Sequence, residues 1–101
     1  MLIVNTTYQV SEDRQSDWVK WVKSDYIPEV TKTNMLFNPR LFHLLVENEP
    51  GNVSYALQFE VIDLDTLENW FQKYGSEMQT TMSNKFQEKV LGFTTMLETV
   101  E

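Results

Sequence analysis

The sequence predicts an α+β domain with two helices on one face of a four-stranded antiparallel sheet. Three observations carry this. Strand-like segments stand at 2–10, 40–47, 53–62 and 89–100, rich in β-branched and aromatic residues. Segments with apolar residues three and four apart fall between the first and second strands and between the third and fourth. The order is therefore β-α-β-β-α-β, the split βαβ pattern, with no linker, repeat or low-complexity stretch across 1–101, so one domain is expected.

Along LIVNTTYQV, Leu2, Val4, Thr6, Tyr8 and Val10 share one face, and Ile3, Asn5, Thr7 and Gln9 share the other. Ser11 is placed to cap the first helix, with Glu12 and Asp13 in its positive first turn. Trp18, Val19, Trp21, Val22 and Tyr26 make a broad apolar stripe, and Pro28 is expected to end or kink the helix at Ile27. Residues 29–38 connect, and Met35-Leu36-Phe37 is read as folded under, a lid or an interface. Glu49-Pro50-Gly51-Asn52 reads as a type II turn, Pro fixing φ at its second position and Gly supplying positive φ at its third. Val53, Tyr55, Leu57, Phe59 and Val61 form one clean face of the third strand, and Ser54, Ala56, Gln58 and Glu60 the other. Asp63 caps a second helix whose stripe is Leu64, Leu67, Phe71, Tyr74 and Met78, with a break at Gly75 and a further piece to about Phe86.

This is the ferredoxin-like arrangement, with strand order 4-1-3-2. Trp18 and Trp21 then pack as core against the clean face of the third strand, because indole at helical spacing is costly to leave in water. Trp21 or Tyr26 is expected at the core edge. The second sheet face carries Ile3, Asn5, Thr7 and Gln9 beside Ser54, Ala56, Gln58 and Glu60, with either His43 or Phe42 and Leu44 joining from the neighbouring strand. A face of this mixture needs covering. A second copy packed sheet to sheet does so, giving a homodimer and a space between the sheets of the kind that holds small molecules.

Composition narrows the function. The formal net charge is −7 and the eight basic residues are scattered, so nucleic acid is not expected as a partner. With no cysteine and one histidine, neither a metal site nor a cofactor is expected. No apolar run approaches the ~18 residues of a spanning helix, so no membrane partner is expected, and MLIVNTTYQV lacks the basic and apolar regions of a signal peptide; a cytoplasmic setting follows. There is no phosphate loop, no dinucleotide fingerprint and no Ser-His-Asp constellation.

The candidate ligand-binding residues are Asn5, Thr7, Gln58 and His43, since amides and hydroxyls orient a carbonyl or hydroxyl without moving a proton. His43 and Glu60 are the candidate catalytic bases. Each has a structural alternative: His43 as a surface strand residue, and Asn5 with Gln58 as amides that bond each other. The remaining carboxylates fall mainly at helix starts and turns, where they cap and solvate.

MLIVNTTYQV, the W-x-x-W pair followed by Tyr26-Ile27-Pro28 and Val30, Arg40-Leu41, SYALQF at 54–59 and FTTMLE at 93–98 together resemble a family of short bacterial proteins known as a domain of unknown function within the dimeric α+β barrel superfamily. The resemblance spans essentially the whole chain and implies a dimer of ferredoxin-like subunits with no established reaction. The wider superfamily includes cofactor-independent oxygenases and haem-degrading enzymes. Asn5 and Trp70 are similar to an Asn and a Trp used by the latter, but the place of their axial histidine reads Thr80-Thr81-Met82, which argues against haem. The expected function is a homodimeric small-molecule-binding α+β barrel. The alternatives are a cofactor-independent oxygenase or isomerase acting on a small, partly apolar substrate, and a protein-interaction subunit without a cavity.

Overall fold

The computed structural model describes residues 1–46 and 48–101. Its elements are β1 (Leu2–Ser11), α1 (Gln15–Trp21), α2 (Ile27–Thr31), β2 (Phe37–Leu44), β3 (Asn52–Val61), α3 (Leu64–Trp70), α4 (Ser76–Phe86) and β4 (Val90–Glu98). The strands form one four-stranded antiparallel sheet in the order β2-β3-β1-β4, the predicted ferredoxin-like topology.

The helices depart from expectation at two points, and both share a cause. Helix α1 does not end at Ile27. It runs through a π-turn, Val22–Tyr26, directly into α2, and the Ile27 N–H reaches back five residues to the Val22 carbonyl. Pro28 then sits in the first turn of α2, where a missing N–H costs nothing. The second rod does not break at Gly75 either: a π-turn, Phe71–Gly75, joins α3 to α4. Each π-turn adds a residue and rotates the following face by about 100°. The buried line of the first rod is accordingly Trp18, Val22, Val30, with Ile27 partly buried between. In the second rod it is Leu67, Trp70, Met82 and Phe86, while Leu64, Phe71 and Tyr74 of the predicted stripe lie exposed.

Ser11 is the last residue of β1 and makes no backbone cap; its hydroxyl bonds the Asp13 carboxylate, and a short 3-10 turn, Glu12–Arg14, leads into α1. Asp63 does cap α3, its carboxylate accepting from the Thr66 N–H at 2.8 Å. Hydrogen bonding from the Thr66 side chain, and then from its N–H, holds the Asp63 carboxyl below its usual range. The Glu49–Asn52 turn is formed as expected, with Asn52 N–H to Glu49 carbonyl at 3.1 Å and Gly51 at φ +88°.

Strand β2 begins three residues before the predicted 40 and ends at Leu44, so Leu45 and Val46 lie beyond it. Glu47, the last residue of that predicted strand, lies outside the described residues. The early start is enabled by a bulge between Phe37 and Arg40, where Asn38 adopts φ +51° and Pro39 needs no ladder donor on this edge strand. Leu36 is folded under, almost fully buried in the core.

The core lies between the sheet and the two helical rods. Trp18 is fully buried between Tyr8 and Tyr55, with ring centroids 5.1 and 5.2 Å away. Tyr55, Leu57, Phe59 and Val61 of β3 meet it, as predicted. Trp21 and Tyr26 stand partly buried at its edge, their rings 5.5 Å apart.

Candidate functional site

Register decides what each sheet face can do. Opposed residues of antiparallel strands share a face. Asn5 pairs with Gln58 and Thr95, and Thr7 with Ala56 and Phe93. Arg40 opposes Gln58, Phe42 opposes Ala56 and Leu44 opposes Ser54, so β2 contributes Phe42 and Leu44 to the open face. His43 opposes Tyr55 and therefore lies on the helix side. It is exposed on the edge strand, stacked on the Tyr55 ring at 5.0 Å. The structure thus brings Asn5, Thr7 and Gln58 together and separates His43 from them.

On the open face the amides satisfy one another. Gln58 Nε2 donates to Asn5 Oδ1 at 3.1 Å, and Asn5 Nδ2 donates to Thr7 and Thr95 hydroxyls at 3.4 and 3.3 Å. Gln58 also borders a more open hollow of about 480 Å³ at the β2 bulge with Ile3, Arg40 and Glu60, and Glu60 accepts from Asn38 Nδ2. Exposed Leu91, Phe93, Leu97 and Phe42 surround this polar strip.

The more enclosed of the two hollows is on the other face. A cavity of about 310 Å³ lies between the sheet and the second helical rod. Strand β1 supplies Val4, Thr6 and Tyr8 to its wall, and β3 supplies Leu57 and Phe59. Trp70, Phe71, Gly75, Gln79, Met82 and Ser83 come from the second rod, and Tyr26 from the first. Strand β4 closes it with Val90 to Thr94.

Two glycines shape the cavity. A Cβ at Gly92 would meet the Tyr8 ring at 2.8 Å, so that ring lies directly on the β4 backbone. A Cβ at Gly75 would meet Phe71 at 2.7 Å and Trp70 at 3.2 Å, so the second π-turn can fold its aromatic pair against itself. Both π-turns contribute to the wall, through Tyr26 and through Phe71 with Gly75. Such turns recur at functional sites because they re-aim side chains that a straight helix would bury.

The polar groups in the cavity wall are neutral. Thr6 and Thr94 hydroxyls bond at 3.0 Å. Burial, then the neighbouring Tyr26 phenol, push the Tyr8 hydroxyl well above its ordinary range, opposed by a hydrogen bond from Thr6. Burial also raises the Tyr26 phenol, with a bond to Tyr8 opposing it. Both phenols therefore stay protonated and available to hydrogen-bond. Trp70 Nε1 is buried without a partner among the described residues. No Asp, Glu, His, Lys or Arg is among the described residues that line the cavity.

Thr6, Tyr8, Tyr26, Gln79, Ser83 and Thr94 escaped the sequence reading. One signal was legible: Thr6 and Tyr8 place two hydroxyls on the face of β1 that otherwise carries Leu2, Val4 and Val10. The arrangement does not fit haem. Asn5 faces away from the cavity, no histidine lines it, and the Thr80 and Thr81 hydroxyls bond the helix carbonyls of Ser76 and Glu77.

These features define a ferredoxin-like α+β domain with a neutral, aromatic-walled cavity on the helix side of its sheet. The chain belongs to the family described as Domain of unknown function (DUF4286), whose model matches residues 1–100. Among curated proteins, none matches it in sequence. Solved structures share the fold at low identity. HapK from Hahella chejuensis matches with a TM-score of 0.74 and 10% identity, over 99% of this chain and 93% of that one. A dimeric ferredoxin-like protein from an uncultured marine organism matches at TM-score 0.62 and 14% identity, over 99% and 95% of the two chains. A structure described as an antibiotic biosynthesis monooxygenase matches at TM-score 0.64 and 16% identity, over all of both chains.

Proposed function

We propose that this protein acts as one domain over 1–101 and forms a homodimer through its open sheet face, binding a small, partly apolar molecule in the cavity on the helix side. The observation that carries the binding reading is the cavity itself. At about 310 Å³ it falls at the lower end of the range of small-molecule sites, with a few hydroxyl and amide groups among aromatic walls. The dimer reading is supported by the exposed Leu91, Phe93, Leu97 and Phe42 around a self-satisfied amide strip, and by a fold neighbour described as dimeric. Asn5, Thr7 and Gln58 then serve the subunit interface and not a ligand. The setting assigned is the cytoplasm; no described helix is long and apolar enough to cross a membrane.

Binding is favoured over cofactor-independent oxygenase or isomerase chemistry by the wall's composition. A reaction that begins with proton abstraction needs a base near neutrality. Among the described residues, the ionisable groups lining the cavity are Tyr8 and Tyr26, both held protonated. Glu60 borders the open-face hollow and His43 stacks outside the cavity on Tyr55.

Two measurements test this reading. Light scattering on a sizing column should give a mass of two chains that persists on dilution, and Leu97→Glu should give one. Native mass spectrometry of protein from its own host should show a bound small molecule that Thr6→Trp, filling the cavity from the sheet side, removes. A monomer at all concentrations, or a bound molecule indifferent to Thr6→Trp, contradicts the proposal.

A further inference from the structure

We propose that the cavity selects an uncharged, planar aromatic molecule bearing a hydrogen-bonding oxygen, and that Tyr8 and Tyr26 read that oxygen. The inference rests on the cavity being the ligand site, and it names the ligand's chemistry.

The first support is the absence of charge in the wall. Among the described residues, none of the 18 that line the cavity is charged. A carboxylate or phosphate entering such a wall loses its hydration and gains no counter-charge, which is far more costly than burying a neutral polar group that finds a hydrogen bond. The chain's net charge of −7 opposes anions further.

The second support is shape. Tyr8, Tyr26, Phe59, Trp70 and Phe71 surround the space with ring systems. Gly75 and Gly92 remove the Cβ atoms that would push those rings inward or off the backbone. Flat walls favour a flat ligand, since aromatic pairs gain from offset-stacked and edge-to-face contacts.

The third support is the phenol pair. Tyr8 comes from β1 and Tyr26 from the end of the first π-turn, and both line the cavity. A protonated phenol is both donor and acceptor, so each can bond a ligand carbonyl or hydroxyl. Two protonated phenols discriminate against an analogue lacking the oxygen, because displacing them by apolar surface leaves buried polar groups unpaired.

A matched series decides it by calorimetric titration of the intact protein: naphthamide, naphthoate and naphthalene. The ring is constant, and naphthamide and naphthoate differ in charge with little change of shape. We expect naphthamide to bind at least tenfold more tightly than naphthoate at neutral pH. Tyr8→Phe with Tyr26→Phe should weaken naphthamide about tenfold and tighten naphthalene, because no buried hydroxyl is then left unpaired. Naphthoate binding as tightly as naphthamide overturns the inference while leaving the cavity as a ligand site, and that comparison needs only the unsubstituted protein. Naphthamide indifferent to the double substitution overturns the role of the phenols. Failure of both naphthamide and naphthalene to bind overturns the site and the inference together.

Discussion

The two faces of β1 share one backbone and have opposite physical characters. On the helix side, Val4, Tyr8 and Val10 are buried, and Thr6 and Tyr8 open onto a cavity. On the open side, Ile3, Asn5, Thr7 and Gln9 are half-buried in a strip whose amides bond each other and leave exposed Leu and Phe around them. Side-chain alternation alone creates this division, so one-residue steps separate packing for a subunit mate from lining for a ligand. Enclosure follows the helices, which add a second wall to which both π-turns contribute residues.

Damage to the helix-side core should have the largest effect. Trp18→Ala removes a fully buried indole held between Tyr8 and Tyr55 and should cost about 3–5 kcal/mol, read from urea unfolding. Gly92→Val comes next. Its side chain meets the Tyr8 ring, and overpacking of this kind costs about 1–3 kcal/mol. Ligand binding should fall with it, because Tyr8 must leave the cavity wall. On the open side, Asn5→Ala leaves Gln58 without its partner amide and should cost about 1 kcal/mol, with a larger effect on the dimer mass than on binding.

Titration gives smaller effects and separates the regions by pH. Burial raises the Tyr8 and Tyr26 phenols above their unfolded range, so the unfolded chain loses these protons first as pH rises. Stability should therefore hold below pH about 10 and decline above it, tracked by tyrosinate absorbance alongside circular dichroism. Asp63 and Asp13 carry lowered pKa values from hydrogen bonds to Thr66 and to Ser11 with Lys89. Their contribution is present above the ordinary aspartate range and declines as pH falls through it. Asp63→Asn should flatten that acid limb of a thermal melting series.

Much of this division was written in the sequence. The alternation in VSYALQFEVI placed Tyr55, Leu57, Phe59 and Val61 in the core, and the placement of Asn5 beside Gln58 followed from strand order. The cavity was not legible. A π-turn leaves no residue signature comparable to a proline or a cap, so helical spacing put Phe71 and Tyr74 where Trp70 and Gly75 belong, and Pro28 read as the end or a kink of the first helix when it sits in the first turn of α2. The side of His43 was left open because β2 begins with a bulge at Phe37, and only pairing with β3 fixes which face its residues take. Gly75 and Gly92 matter through rings distant in sequence or folded back on the same turn, contacts that no local pattern encodes.

On the proposed reading, ligands enter between sheet and helices and not between sheets. Side-chain amide signals in a nitrogen-proton NMR spectrum, followed during titration with naphthamide, test it most directly. Gln79 lines the cavity, whereas Asn5 and Gln58 lie on the open face. The Gln79 amide should shift progressively to saturation while the amides of Asn5 and Gln58 stay in place. Shifts confined to Asn5 and Gln58, with Gln79 unmoved, would contradict it and return the site to the space between two sheets.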